Sequence, residues 1–466
     1  MRTEELGRRA LAVVLGCVAV ACGSSPDPQG ANSPAGAVTL FEGARIIAGD
    51  GSAPIEDSAF VVENDTFTRV GTRGDLPVPE GTARVDLAGK TVIPALIDGH
   101  SHIGYMKHLT SGPQNYTREH ILDHMYRFAY HGVAASQAMG SDFGDVWVGV
   151  RDDIRAGKYP EAARFLSAGR GLSPEDEVRP DNMRHSAYVI RTEADARQAV
   201  RELAAQNVKI VKTWVDDRGG SVRKLTPDLY GAIIDEAHRL NLRVAVHATD
   251  LEDAKSLLRA GVDIFGHMMS DVDDELVELF KQHPKTSILL ALGGPRRQIH
   301  APWLNPPHKL VTETVLPDQI KRLRDRLAAV SPEAQTRGRA SWERLASGVR
   351  RLYAAGVRIG VGTDGGGQQG DQFVGWTMHT EVENMVAAGI APADVLVAAT
   401  RTSAEILELP DLGMVALGKS ADFVVLDANP LDDITNTRAI ARVYLRGKEI
   451  DRAKMRAAWT GRAPNF

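Results

Sequence analysis

The stretch TVIPALIDGHSH, residues 91–102, is apolar from Val92 to Ile97 and turns polar at Asp98. That reads as a buried strand with a polar tip. His100 and His102 are two positions apart, so a strand puts both imidazoles on one side. Helical periodicity follows in TREHILDHMYRFAYHG. Further apolar segments come next: VAASQAMG, RFLSAGRG, VKIVKTWV, RVAVHAT, DIFGHM, SILLALGG and RIGVGTDGG. Helical patterns such as EADARQAVRELAAQ and LEDAKSLLRAG separate most of them. Strand–helix alternation predicts a parallel sheet, and eight such strands predict a closed (β/α)8 TIM barrel. Residues Pro295 to Ala340 form a Pro-rich and then helical insertion after strand seven, expected to cover the barrel mouth.

Both chain ends look different. Val38 to Gly71 alternates apolar and polar residues between turn signals, and the pattern returns in ADFVVLDA (421–428) and ARVYLRGKEI (441–450). These ends are expected to build one small β-sandwich, residues 38–93 and 416–466, around a barrel of residues 94–415.

The first residues read as a targeting segment. Arg2, Arg8 and Arg9 precede the apolar run Ala10 to Ala21, too short to span a bilayer but suited to a signal-peptide core. Ala19-Val20-Ala21-Cys22-Gly23 resembles a bacterial lipobox, which implies cleavage after residue 21 and lipidation of Cys22. Residues 22–37, rich in Ser, Pro and Gly, then form a flexible tether. The expected location is the bacterial cell envelope, lipid-anchored or else periplasmic or secreted. The net charge of -5, with no basic block, argues against nucleic-acid binding. The only cysteines are Cys17 and Cys22, so the body has no disulfide framework and no Cys-based metal site.

Polar residues collect where the apolar strands end. His100 and His102 end the first, Lys212 lies near the end of the fourth, His247 ends the fifth, His267 the sixth and Asp364 the eighth. In a barrel those ends share one mouth. Neutral imidazoles and a carboxylate suit divalent ions, zinc first. An ammonium at Lys212 would be repelled by such ions, and burial favours its neutral amine. That amine can take up carbon dioxide as a carbamate, an anion able to bridge two metals. Lys209 is three residues away, on the opposite strand face.

PALIDGHSHIG, VKTWVDD, VAVHAT, IFGHMM and VGTDGGG, in this order, resemble the amidohydrolase superfamily. HTEVENMVAAGIAPADVLVAATRTSAEIL and LGMVALGKSADFVVLDANPL are similar to the closing segments of its imidazolonepropionase-like and Xaa-Pro dipeptidase-like branch. The resemblance implies that His100, His102 and Asp364 bind the more buried of two divalent metals. His247 and His267 bind the other, and Lys212, as N6-carboxylysine, bridges them. It also implies a metal-bridging hydroxide, with Asp364 as general base and then general acid.

The expected activity is hydrolysis of an amide C–N bond in a small substrate such as an Xaa-Pro dipeptide or an N-acyl amino acid. A lactonase or phosphotriester hydrolase on the same site is the alternative, because metal ligands do not separate these classes. His185, Arg296 and Arg297 follow strand ends and are candidate substrate contacts. His108, His120, His124 and His131 read as surface or helix-face residues. Assembly into homo-oligomers is left open.

Overall fold

The fold is that of a computed structural model. It describes residues 38–174, 185–297, 299, 301–367 and 372–460. The targeting segment, Cys22 and the tether therefore lie outside the described residues, as does the side chain of Arg297. Among the described residues, no helix is long and apolar enough to cross a membrane.

The opening stretch divides between two sheets. Thr91–Pro94 pairs antiparallel with Phe423–Leu426 and parallel with Val38–Ile46. Leu96–Ser101 instead pairs parallel with Val133–Ala138. Pro94 and Ala95 mark the crossing, and the Ala95 amide donates to Asp422 O at 3.0 Å.

The chain ends meet in one eight-stranded sheet. Its order is Lys448–Glu449, Ile440–Leu445, Phe423–Leu426, Thr91–Pro94, Val38–Ile46, Ile55–Glu63 and Thr66–Thr72, with Ala83–Asp86 beside Val38–Ile46. Asn64, at φ 59°, turns Ile55–Glu63 back into Thr66–Thr72, and asparagine tolerates that left-handed conformation. Alternation puts Phe41, Phe60, Phe67, Phe423 and Tyr444 into one buried cluster. The Phe60 and Phe423 rings are 5.2 Å apart although two strands lie between theirs, so the sheet rolls over this cluster.

The rest is a run of parallel strands with helices between them. The eight segments of the sequence reading fall on Leu96–Ser101, Val133–Ala138, Arg164–Ser167, Ile210–Trp214, Arg243–His247, Ile264–Phe265, Ser287–Leu290 and Arg358–Val361. Every pairing along this run is parallel. Gly171–Ser173 and Ala187–Val189 add short strands after the third. The first and last strands also touch: His102 N–H donates to Gly365 O at 2.7 Å, and Ser101 bridges Gly365 in parallel.

Local sequence explains the helices between. Glu193–Ala205 opens with a capping box of Thr192 and Asp195 and buries Ala196, Ala199, Val200 and Leu203, one helical stripe. Leu251–Ala260 is capped by Asp250 and stops at Gly261, whose φ of 88° is open to glycine. The insertion after strand seven forms Lys309–Thr312, Pro317–Ala328 and the start of Pro332–Ala354. It packs on the helix Arg118–Tyr130, where Tyr130 donates to Glu313 at 2.7 Å. It also braces the hairpin after the first strand, through Gln319 to His108 O at 2.8 Å.

Three histidines expected on a surface or helix face are buried instead. His120 and His124 both place Nε2 near Met106 O, at 2.8 and 3.0 Å, and His131 faces Thr314. Insertion and hairpin cover that helix face, which is why its periodicity alone misleads.

Candidate metal centre

Five strand ends deliver the polar residues. His100 and His102 sit at the tip of the first strand, Lys212 in the fourth, His247 at the end of the fifth, His267 just after the sixth and Asp364 just after the eighth. Period two turns Asp98, His100 and His102 to one side. Ligand atoms of His100, His267 and Asp364 lie within 4.8 Å of one another. The His100 ring lies 4.7 Å from His267, and His267 lies 4.5 Å from His247. His102 Nε2 is 2.9 Å from Asp364 Oδ1, and His100 Nε2 is 3.7 Å from it.

Lys212 completes the group. Its side chain is fully buried and its Nζ has no hydrogen-bond partner among the described residues. Burial pushes its pKa down to about 7, against the pull of Asp364. Lys209 is exposed, as its offset from Lys212 requires. Two glycines make room for Lys212. A Cβ at Gly266 would lie 2.7 Å from its Nζ and 3.1 Å from the His100 ring, and a Cβ at Gly140 would lie 2.6 Å from its Cγ. All six residues of the sequence reading thus come to one end of the parallel run.

The rings are fixed from behind. His100 Nδ1 is 2.8 Å from Gly266 O, which leaves Nε2 buried and unpartnered. His102 Nδ1 faces Ser141 Oγ at 3.0 Å. His247 differs, with Nε2 on Asp216 at 3.1 Å, a contact that holds the Asp216 pKa down to about 2. Burial drives the His100 and His267 pKa values well below the ordinary imidazole range. Their rings are therefore neutral, the form that binds metals. Burial would raise Asp364, but His102 beside it, together with His267 and His100, outweighs this and holds it well below the usual carboxylate range. Two buried polar atoms lacking partners among neutral imidazoles and a carboxylate fit divalent cations.

Several residues of the site escaped the sequence reading. Asp98 accepts from the His100 amide at 3.1 Å, the Thr363 amide at 3.2 Å and the Thr363 hydroxyl at 2.6 Å. It clamps the first strand to the residue before Asp364, and burial raises its pKa to about 7. Its place two residues before His100 was a usable signal. Gln372 donates to Asp364 Oδ2 at 3.0 Å. Asp364 has φ 57°, a left-handed conformation that aims its carboxylate back at the histidines. Nothing in the residue order announces Ser141 or Gln372, because both lie in loops.

The substrate candidates separate. His185 is exposed and packs edge-on against Phe143 at 4.3 Å. Its ring also lies 6.2 Å from that of Tyr105, whose hydroxyl donates to Ser141 O. Arg296 is instead engaged by Glu383 O and Asn384 Oδ1 at 3.3 and 3.2 Å, and lies over Trp342. Those contacts anchor one helix to another, and none is to the six-residue group.

The chain is similar to known proteins over most of its length. The imidazolonepropionase of Streptomyces griseus subsp. griseus is 24% identical over 381 residues, 80% of this chain and 86% of that protein. The ochratoxinase of Aspergillus niger is 23% identical over 451 residues, 88% of this chain and 86% of its own. Among solved structures, a putative prolidase from Bifidobacterium longum superposes with TM-score 0.69 at 27% identity, over 90% of this chain and 95% of that one. A Xaa-Pro dipeptidase with methionine bound in its active site has the same fold, with TM-score 0.69 at 21% identity, over 89% of this chain and 99% of that one. The parallel run is thus a TIM-barrel-like α/β fold. The amidohydrolase family model matches residues 91–450, and on that match the chain belongs to the amidohydrolase family, hydrolases acting on carbon–nitrogen bonds.

Proposed function

We propose that this chain uses two divalent ions to cleave the amide C–N bond of a small substrate, an Xaa-Pro dipeptide or an N-acyl amino acid. One observation carries this reading: among the described residues, Lys212 Nζ and His100 Nε2 are both buried without a hydrogen-bond partner. Leaving two such atoms unmet costs roughly 1–3 kcal/mol each, so a fold that keeps them has a ligand for them. His100, His102 and Asp364 would hold the inner ion, and His247 and His267 the outer. Lys212 would stand between the two as its carbamate, since burial lowers its pKa to about 7 and so leaves a substantial neutral fraction able to react with carbon dioxide. Zinc suits this imidazole and carboxylate set.

When bound, the ions supply an acidified water and a polarised carbonyl. Asp364, steadied by Gln372, would take the proton from that water and return it to the leaving nitrogen. Its left-handed backbone fixes the carboxylate for both transfers. His185 and Phe143 would line the substrate end of the mouth, in a closed eight-stranded barrel flanked by the rolled sheet as a β-sandwich domain. The prolidase and ochratoxinase relatives support small amide substrates.

The test is turnover of a panel of Xaa-Pro dipeptides and N-acyl amino acids by zinc-loaded protein, beside lactones and phosphotriesters. Amide turnover alone is the expected result. Hydrolysis confined to lactones or phosphotriesters would replace the amide reading. We further infer that Cys22 is lipidated and tethers the enzyme to the bacterial envelope, on the strength of residues 10–23. Cys22→Ser should move the protein from the membrane fraction to the soluble fraction; unchanged partitioning would reject the anchor.

A further inference from the structure

A second concavity shares no residue with the metal centre. It has a volume of about 540 Å³ and opens between the insertion, the end of the helix Arg118–Tyr130 and the C-terminal helix Arg452–Trp459. Four cations line it, Lys309, Arg438, Arg452 and Arg456, against the carboxylates of Glu313 and Asp427. Both carboxylates are already engaged, Glu313 by Arg456 at 3.1 Å and Asp427 by Lys90 at 2.7 Å. Arg438 is itself buried, pairs with Glu383 and lies over the Trp376 ring at 4.8 Å.

The other two cations make no ion pair among the described residues, although Glu313 lies near Arg452. Arg452 donates to the backbone carbonyls of Tyr130 and Ile440 at 3.1 and 3.0 Å and stacks on the Tyr130 ring at 4.2 Å. Neither Arg452 nor Lys309 pairs with a carboxylate among the described residues. The protein thus holds guanidinium groups rigidly, by stacking and backbone contacts, around a cavity with excess positive charge. Rigid guanidinium forks match the planar geometry of a carboxylate or phosphate. Tyr130, Leu310 and Ile440 supply apolar wall beside them. The volume is that of a small-molecule site.

We propose that this cavity binds a small organic anion, a carboxylate or phosphate group on a compact apolar body, at a site separate from the metal centre. The headgroup of an anionic lipid offers the same charge, but a concave site walled by stacked side chains favours a free small molecule over a membrane face.

The experiment is a fluorine NMR titration of the zinc-loaded full chain with 4-fluorobenzoate. Two variants accompany it, Lys309→Glu with Arg456→Glu, and Ala453→Trp. Ala453 lines the cavity on an exposed helix position, so tryptophan there fills the space without changing charge. Saturable binding is expected in the parent chain. Both variants should weaken it about tenfold or more, the size of one charged hydrogen bond, with turnover unchanged; the charge variant, which also loses the Arg456–Glu313 pair, should melt somewhat lower while remaining folded. Binding of equal strength in a folded Ala453→Trp protein would place the probe elsewhere, at the metal centre for instance, and overturn the proposal. So would the absence of saturable binding. Flotation with phosphatidylglycerol vesicles that is lost in the charge variant, without fluorobenzoate binding, would assign the face to lipid instead.

Discussion

The rolled sheet and the tip of the parallel run are both buried, yet they are built on opposite principles. The sheet core is Phe41, Phe60, Phe67, Phe423 and Tyr444, with Phe41 stacked on Phe60 at 4.8 Å and Phe423 on Tyr444 at 4.4 Å. Its strands pair with one another and its interior gains from apolar burial. The tip buries Lys212, His100 and Asp98 instead, and leaves two of their polar atoms without partners. Burial of that kind opposes folding. One region therefore supplies stability and the other draws on it, and substitutions should reveal the division by which measurement they change.

The largest effect is expected at Asp364. Asp364→Asn keeps the shape and loses the proton carrier, so turnover should fall about 10²–10⁴-fold, the usual worth of a general acid–base group. The melting temperature should barely move. Turnover close to that of the parent chain would end the proton-carrying role. The mirror case is Phe423→Ala, which empties the centre of the aromatic cluster. It should destabilise the fold by about 3–5 kcal/mol in denaturant titrations, while turnover per folded molecule stays near the parent value. An equal loss of turnover would erase the contrast between the two regions.

That contrast also sets what was legible in the sequence. The six polar residues could be read because strands alternate and end at fixed places, so His100, His102, Lys212, His247, His267 and Asp364 announce themselves by position. The eight strands could be read for the same reason, and so could the pairing of the chain ends. Residues whose role depends on a neighbouring strand could not. Thr363 matters because Asp98 reaches it from the first strand, and Gln372 because its loop folds back on Asp364. His131 read as a surface or helix-face residue because the insertion that covers it lies far away in the chain, and His120 and His124 because the hairpin at Met106 folds back over them. Arg296 follows a strand end, as a substrate contact would, but Glu383 and Asn384 claim it. One-dimensional periodicity shows which way a side chain points and is silent on what comes to meet it.

Asp98 sharpens the comparison at intermediate size. It touches no candidate ligand side chain, yet it holds the His100 amide and Thr363 together. Asp98→Asn turns one acceptor into a donor facing the Thr363 hydroxyl. Zinc affinity, measured against a competing chelator, should fall about 10–100-fold, the range found when a group supporting metal ligands is removed. A drop in melting temperature with unchanged zinc affinity would make Asp98 a purely structural clamp.

The smallest effect is pH-linked and falls on Asp142, which accepts hydrogen bonds from Tyr116 at 2.7 Å and from Ser167. Burial raises its pKa to about 6, and those hydroxyls only partly offset this. The folded chain therefore keeps a proton on Asp142 that the unfolded chain releases near pH 4. Between those values the folded state binds more protons, so stability declines as pH rises from about 4 to about 6 and is level above. The contribution is about 1–3 kcal/mol. Denaturant titrations across that window should show a decline that Asp142→Asn removes, once both curves are referred to pH 7. If the slope is the same in both proteins, another buried group carries it. Asp98, pushed up to about 7, is next to examine, and its decline would continue one unit further toward neutral pH.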